Sequence, residues 1–331
     1  MLRLATIGTS AIVRRTLDAA AAVPGIEHVA AYSRDPARAR ELLPRDDALV
    51  VSDLRELAGS PAVDAVYIAS PNALHAEQAA PLLEAGKHVL IETSATSTAG
   101  ELARLRAIAR RTGVVLLEAA RNAGFDPGVA RIAELLPEVG RVRLVRFEYG
   151  QRSSRYDRFL AGEAVNIFDP AMSAGALMDL GVYCAHLAIE LFGTPEKIVA
   201  ASMCPLRGGI DGAGLAILGY GDAALTLAYS KISDSRVGSE IQGEDATLVI
   251  DQVADPRRLL LVDRHGRERE IRVEKAGDNM VYELAEFLRL VEAGSDGDRW
   301  NDVTERRLRL TDAIRAMTGL RFPADSGDAV A

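Results

Sequence analysis

Ile7-Gly8-Thr9-Ser10-Ala11-Ile12-Val13 closes an apolar run and opens an alanine-rich one. Residues 2–7 read as a strand, and residues 11–22 carry helical periodicity. The glycine between them marks a tight turn at a helix N-terminus. Unpaired backbone N–H groups and the positive end of the helix dipole suit that position to a diphosphate. A dinucleotide-binding fold begins this way, with the fingerprint G-x-G-x-x-G. Here glycine stands only at the first of the three places, with Ser10 and Val13 at the others. On this stretch alone, a tight turn in some other α/β protein is an equal reading.

The surrounding rhythm extends the argument. Short runs rich in Val, Ile and Leu recur at 27–32, 65–69, 87–91 and 114–117, with helical patterns at 36–43, 54–58, 73–85 and 99–111 between them. Continuous apolar strands alternating with amphipathic helices require a parallel sheet covered on both faces. Right-handed crossovers then make residues 1–120 an open, doubly wound sheet with its ligand crevice beyond the carboxyl ends of the strands. After about residue 120 the pattern changes. A helix near 128–136 leads into an alternating strand at 142–150, a polar loop at 151–170 and a helix at 174–192. Strand-like runs follow at 197–203, 215–219, 224–230, 239–242, 247–251, 259–263 and 268–273, with turn signals such as Gly221-Asp222 and His265-Gly266. Helices at 280–293 and 303–318 complete the reading. The expectation is an α/β chain in two parts: a Rossmann domain over 1–120, and over 121–331 an α+β domain whose mostly antiparallel sheet rests one face on helices.

Composition bounds the function. At 331 residues two domains are expected, and 48% apolar with 26% charged residues is the balance of a chain with a full core. A net charge of −8 with no long basic run argues against nucleic acid as a partner. No apolar stretch is expected to reach membrane-spanning length, and the N-terminus lacks a signal-peptide layout, so the cytoplasm is expected. Cys184 and Cys204 read as buried thiols in a reducing compartment. No Cys/His cluster has zinc spacing, and no metal is expected.

Candidate site residues sit at the predicted strand ends. After the second strand the chain reads Tyr32-Ser33-Arg34-Asp35, without the acidic residue that usually follows directly to hold an NAD ribose. Ser33 and Arg34 suit a 2′-phosphate, which favours NADP(H) over NAD(H). The alternative makes Arg34 a solvated charge and Asp35 the N-cap of the next helix. In Ser70-Pro71-Asn72-Ala73-Leu74-His75, Asn72 and His75 either face a nicotinamide ribose or serve as a helix cap and an exposed histidine. Glu92, at the end of the run 87–91, points towards the cofactor, and Ser97 or Thr98 caps the helix after it. In Asp179-Leu180-Gly181-Val182-Tyr183-Cys184-Ala185-His186, three polar groups share one face of an otherwise apolar helix. Buried without partners or purpose they are costly. Tyr183 or His186 can exchange a proton during hydride transfer, with Asp179 orienting its neighbour. A hydrogen-bonded structural cluster is the other reading.

Taken together, these landmarks resemble the glucose–fructose oxidoreductase / inositol dehydrogenase (Gfo/Idh/MocA) family of NAD(P)-dependent oxidoreductases. The resemblance rests on the turn Gly8-Thr9-Ser10, Ser33-Arg34, Ser70-Pro71-Asn72 with His75, Glu92, Glu118-Ala119, and Asp179-x-Gly-x-Tyr183-x-x-His186. It implies a second domain on a large open sheet that forms a homodimer or homotetramer interface, and a sugar-like or polyol substrate. It also implies cofactor contacts from Gly8, Thr9, Ser10, Ile12, Ser33, Arg34, Ser70, Asn72, His75 and Glu92. Arg121, Asn122, Arg155, Tyr156 and Asn166, with His186, are the expected substrate contacts. One departure stands out. The family's Glu-Lys-Pro is here Glu92-Thr93-Ser94, and Thr93 supplies no ammonium beside the reacting oxygen. Either Tyr183 or His186 takes over the proton, the chemistry differs, or the chain is a non-catalytic cofactor-binding sensor.

Overall fold

The structure, a computed structural model, describes residues 1–43 and 48–326. The chain divides into two compact units, residues 1–120 with 278–305, and residues 121–277 with 306–331.

The first unit alternates strands and helices: β1 (Leu2–Ile7), α1 (Ala11–Ala21), β2 (Ile26–Tyr32), α2 (Pro36–Arg40), β3 (Leu49–Val51), α3 (Leu54–Gly59), β4 (Ala65–Ile68), α4 (Asn72–Glu84), β5 (His88–Glu92), α5 (Ala99–Thr112) and β6 (Leu116–Ala119). Its sheet runs β3-β2-β1-β4-β5-β6, with every pair parallel. This is the doubly wound order, with the strand sequence reversing between β1 and β4. β4 is fully buried along its length, as a strand covered on both faces must be. β3 was not among the expected runs. Three residues are too few to show a period.

The second unit opens with α6 (Pro127–Val139) and β7 (Val142–Gly150), followed by α7 (Tyr156–Leu160). A π-helical turn, Leu177–Gly181, runs into α8 (Val182–Phe192). Seven strands come next: β8 (Lys197–Pro205), β9 (Asp211–Tyr220), β10 (Ala223–Ser230), β11 (Ser239–Gly243), β12 (Ala246–Ile250), β13 (Arg258–Asp263) and β14 (Glu268–Arg272). The sheet order is β14-β13-β12-β11-β7-β10-β9-β8, and only β7 with β10 is parallel. Along β10 the residues Leu225, Leu227 and Tyr229 are buried while their neighbours are partly exposed, so one face of the sheet carries the core.

Four expectations for this half need correction. The stretch 151–170 is not simply a polar loop: it forms α7 and two 3₁₀ turns, and Phe159, Val165 and Phe168 cluster with Met178, Ile210, Leu320 and Phe322. The helix at 174–192 is not uniform, because the π turn inserts extra chain at its start. The stretch Pro170–Phe192 does reach membrane-spanning length and apolarity, yet 78% of that window is buried inside the protein, so it is a core helix. Cys184 is buried, but Cys204 lies exposed on β8, the edge strand of the sheet among the described residues.

Two helices follow, α9 (Met280–Glu292) and α10 (Asp298–Thr318), and a 3₁₀ turn at Pro323–Ser326 ends the described chain. Residues 278–305 were expected in the second domain and belong to the first unit. Helix α9 buries Met280, Leu284, Phe287 and Leu290, and polar pairing ties the segment in place. Arg15 binds the Asp278 carboxylate (2.8 Å from Nη2), Asn301 donates to the Leu116 carbonyl (2.8 Å), and Thr304 donates to Glu118 (2.9 Å). Arg106, nearly buried on α5, pairs with Asp298, Asp302 and Glu305.

Candidate active site

The mouth of the first unit is built from the carboxyl ends of β1, β2, β4 and β5. Gly8 adopts φ +114°, and a Cβ there would lie 2.7 Å from the Ala69 carbonyl oxygen, so only glycine lets these two strand ends approach. Thr9 and Ser10 complete the turn, and Ile12 stands in the first turn of α1. Ser10 occupies the N-cap position without making a side-chain cap bond. Its hydroxyl oxygen is shielded from solvent and has no partner among the described residues. An orphaned hydroxyl beside first-turn N–H groups fits a diphosphate oxygen.

At the end of β2, Ser33 accepts a hydrogen bond from the Asp35 N–H (3.1 Å) and keeps its own proton to donate. The Asp35 carboxylate is taken up as the N-cap of α2, accepting from the Ala37 N–H at 3.1 Å. Arg34 is exposed beside them. This corner offers a hydroxyl and a guanidinium, which suits a 2′-phosphate.

The ends of β4 and β5 are tied together by His75. The expectation that His75 faces a ribose, or stands exposed, is not met: it is fully buried, with Nδ1 3.0 Å from the Ser94 carbonyl and Nε2 2.8 Å from that of Ser70. Burial lowers its pKa, opposed by the carbonyls that face both ring nitrogens. Pro71, not Asn72, takes the N-cap position of α4, and Asn72 is the first residue of the helix. The Ser70 hydroxyl donates to Gln78 at 2.7 Å. Glu92 accepts from the Tyr67 hydroxyl (2.9 Å) and from the Thr93 N–H (2.6 Å), and the Thr93 hydroxyl donates to the Ala119 carbonyl (2.9 Å). The Thr93–Ser94 peptide bond is cis. Thr98, as anticipated for this stretch, caps α5 by accepting from the Glu101 N–H.

In the second unit, Tyr183 is the organising residue. Its phenolic oxygen accepts from Arg121 Nη2 (2.7 Å) and Nε (3.3 Å), and its ring lies 5.8 Å from that of Tyr149. Asn122 is fully buried, and its amide donates to the Tyr183 and Val253 carbonyls at 2.8 and 3.1 Å. Its amide N–H groups are thus spent on backbone and brace the helix. His186 is only 4% exposed, three residues further along α8.

Asp179, in the π turn, forms an ion pair with Lys231, which follows β10 and which sequence reasoning did not single out. Lys231 is 5% exposed, and burial, aided by the nearby Arg155, lowers its ammonium to about 8. Gly181 lets the π turn dock: a Cβ there would lie 2.9 Å from the Tyr229 ring. Beneath, the buried Asp211 carboxylate accepts from the Leu177 N–H at 2.7 Å, and burial raises its pKa to about 7. Of the remaining candidates, Arg155 is exposed at the start of α7. Tyr156 packs its ring on Phe159 and Phe168, and Asn166 is exposed on a 3₁₀ turn.

Residues 2–119 match the profile of an oxidoreductase family with an NAD-binding Rossmann fold, and residues 131–249 match the GFO/IDH/MocA C-terminal domain. The chain belongs to the GFO/IDH/MocA oxidoreductase family. Among curated members it is 41% identical to the NADP(+)-dependent scyllo-inositol 2-dehydrogenase IolU of Bacillus subtilis, over 98% of this chain and 99% of the relative. It is 38% identical to the uncharacterized oxidoreductase YgjR of Escherichia coli, with the same coverage. Among solved structures, KijD10 of Actinomadura kijaniata, a 3-ketoreductase in complex with NADP and TDP-benzene, superposes with a TM-score of 0.86. The identity is 26%, covering 96% of this chain and 98% of that one.

Proposed function

We propose that this family member is an NADP(H)-dependent oxidoreductase interconverting a hydroxyl and a carbonyl on a sugar-like or polyol substrate. The observation carrying this reading is full-length similarity to a dehydrogenase whose name specifies NADP(+), in a chain whose own 2′-phosphate corner offers Ser33 and Arg34. The relatives described with an activity are enzymes acting on an inositol or a ketosugar-type group, which favours catalysis over the sensor reading.

The first unit binds the cofactor. The turn Gly8-Thr9-Ser10 with Ile12 takes the diphosphate, Ser33 and Arg34 the 2′-phosphate, and Ser70, Asn72 and Glu92 line the strand ends toward the nicotinamide. His75 contributes by fixing Ser70 and Ser94, not by touching the ligand. When bound, the cofactor supplies or accepts the hydride.

The second unit supplies the substrate-side groups. Arg121 donates two N–H bonds to the Tyr183 oxygen, so the phenolic proton points away from the guanidinium. In reduction that proton goes to the carbonyl oxygen as the alkoxide forms, and the guanidinium stabilises the phenolate left behind. Asp179 and Arg155 orient substrate hydroxyls. His186 shapes the buried floor of the helix. Assembly as a homodimer or homotetramer through the open sheet, and residence in the cytoplasm, complete the proposal.

Calorimetry with NADPH and NADH tests the first half of this reading. A screen of inositols and keto-sugars, followed by NADPH absorbance, tests the second. Absence of affinity for either coenzyme overturns it.

A further inference from the structure

Thr93 leaves the site without its family ammonium, and the phenolate of Tyr183 needs a proton back after each reduction. The second unit holds a lysine fitted to that task. The chain has four lysines, at 87, 197, 231 and 275, among 39 basic residues. Arginine therefore serves as the ordinary cation here, and of the two only lysine can be brought by burial to give up its proton near neutrality.

Lys275 shows what a structural lysine looks like in the same unit. Its ammonium sits 2.6 Å from both Asp126 and Asp255 and 3.5 Å from the Pro256 carbonyl, and the Lys275 and Asp126 side chains are fully buried. The Lys231 pair is built differently. Its ammonium end is sealed, with 6% side-chain exposure, whereas the Asp179 carboxylate is 47% exposed. A second cation, Arg155, lies near enough to oppose the lysine's charge. The backbone holds Lys231 firmly: its N–H donates to the Gly212 carbonyl, and its carbonyl accepts from the Ser153 N–H, both at 2.8 Å. Asp179 belongs to a π turn, a form found mostly where a helix has been adjusted for function. Tyr183 stands four residues on, in the first turn of α8.

We propose that Lys231, acting through Asp179, restores the proton that Tyr183 gives to the substrate. In reduction the substrate carbonyl gains a hydride at carbon and the Tyr183 proton at oxygen. The Lys231 ammonium then passes a proton by way of the Asp179 carboxylate to the phenolate. The resulting neutral amine recovers its proton from water. In oxidation each transfer runs in reverse, and the amine takes up the proton released by the hydroxyl. Lys231 is thus a positioning and relay residue, and this role rests on the NADP(H) oxidoreductase reading given above. The charged groups that bear on it are Asp179 on the π turn and Arg155 before α7.

The test is a pH titration of ¹³Cε-labelled lysine by NMR in the cofactor-free protein, joined to steady-state kinetics. Lys231 is expected to titrate near 8, and Asp179→Asn is expected to move it lower. The wild-type kcat for reduction should fall as pH rises through the same value. Lys231→Met and Lys231→Arg should each lower kcat about 100-fold with KM unchanged and abolish that limb of the profile. Failure of Lys231→Arg to rescue separates proton exchange from mere charge. Titration of Lys231 at the ordinary lysine value of about 10.4 overturns the relay, as does full kcat in Lys231→Arg alongside an active wild type. In either case the oxidoreductase reading is left standing. Lack of NADPH affinity overturns both.

Discussion

Arg121 places two of its N–H groups on a single acceptor, the Tyr183 hydroxyl oxygen, at 2.7 and 3.3 Å. A phenol so held has its lone pairs engaged and its proton directed away from the guanidinium. Tyr183→Phe is expected to lower kcat by about 10²- to 10³-fold while leaving the NADPH dissociation constant unchanged. Arg121→Gln, which keeps a donor but no charge, should give a smaller loss. Stopped-flow turnover and fluorescence titration of bound NADPH separate the two effects.

Cofactor choice is expected to depend on Ser33 and Arg34. Replacing both by alanine removes the charge-assisted hydrogen bonds to a 2′-phosphate, worth about 1.5–3 kcal/mol. The NADPH dissociation constant should rise by roughly 10- to 100-fold, with NADH affinity little altered. An equal loss for both coenzymes in calorimetry would place the adenosine end elsewhere.

Gly8→Ala should damage the first unit itself. The added methyl meets the Ala69 carbonyl at 2.7 Å, at a φ of +114° that alanine rarely adopts. A destabilisation of about 1–3 kcal/mol is expected, together with weakened coenzyme binding. Urea unfolding monitored in the presence and absence of NADPH measures both.

Acid is expected to act on the two units in opposite senses. Asp211 has a folded pKa near 7 against an ordinary value of 3.8, because burial penalises its carboxylate. The folded state therefore binds a proton that the unfolded chain releases, and this contribution is present below about pH 4 and lost as pH rises through 7. In the first unit burial lowers His28 to about 4 and also depresses His75 and His88. Their contribution is present above about pH 6.5 and lost as pH falls. Amide exchange, corrected for intrinsic rate, should show Leu177 better protected at about pH 5 than at about pH 8, and β2 the reverse. Asp211→Asn should remove the first trend, whose upper bound is roughly 4 kcal/mol.

The doubly wound half was legible because buried parallel strands leave an uninterrupted apolar signature. β1 and β7 fall at the expected residues, and most other ends agree within a few residues. What escaped were features with no periodic trace: the three-residue β3, the π turn, and the return of residues 278–305 to the first unit. Among site residues, helical spacing drew attention to Asp179 and Tyr183, which the structure sets on an exposed position of the π turn and a buried one of α8. The partner of Asp179 was not legible, since the Asp179–Lys231 pair spans 52 positions (231 − 179) that only the folded chain brings together. The available signal was rarity, a lone lysine at a strand end in an arginine-rich chain. His75 misled because the residues around it in sequence say nothing of the Ser94 carbonyl that meets it in space.

The pairing of Asn301 with Leu116 and of Thr304 with Glu118 has a consequence for how the polypeptide is made. β6 leaves the ribosome long before the helices that satisfy its carbonyl and carboxylate. The first unit thus spends much of its synthesis with a ragged border, closed only after residue 304 has been made. Expression of residues 1–120 by themselves should accordingly yield a coenzyme-binding fragment that precipitates, and co-expression with residues 278–305 should keep it in solution.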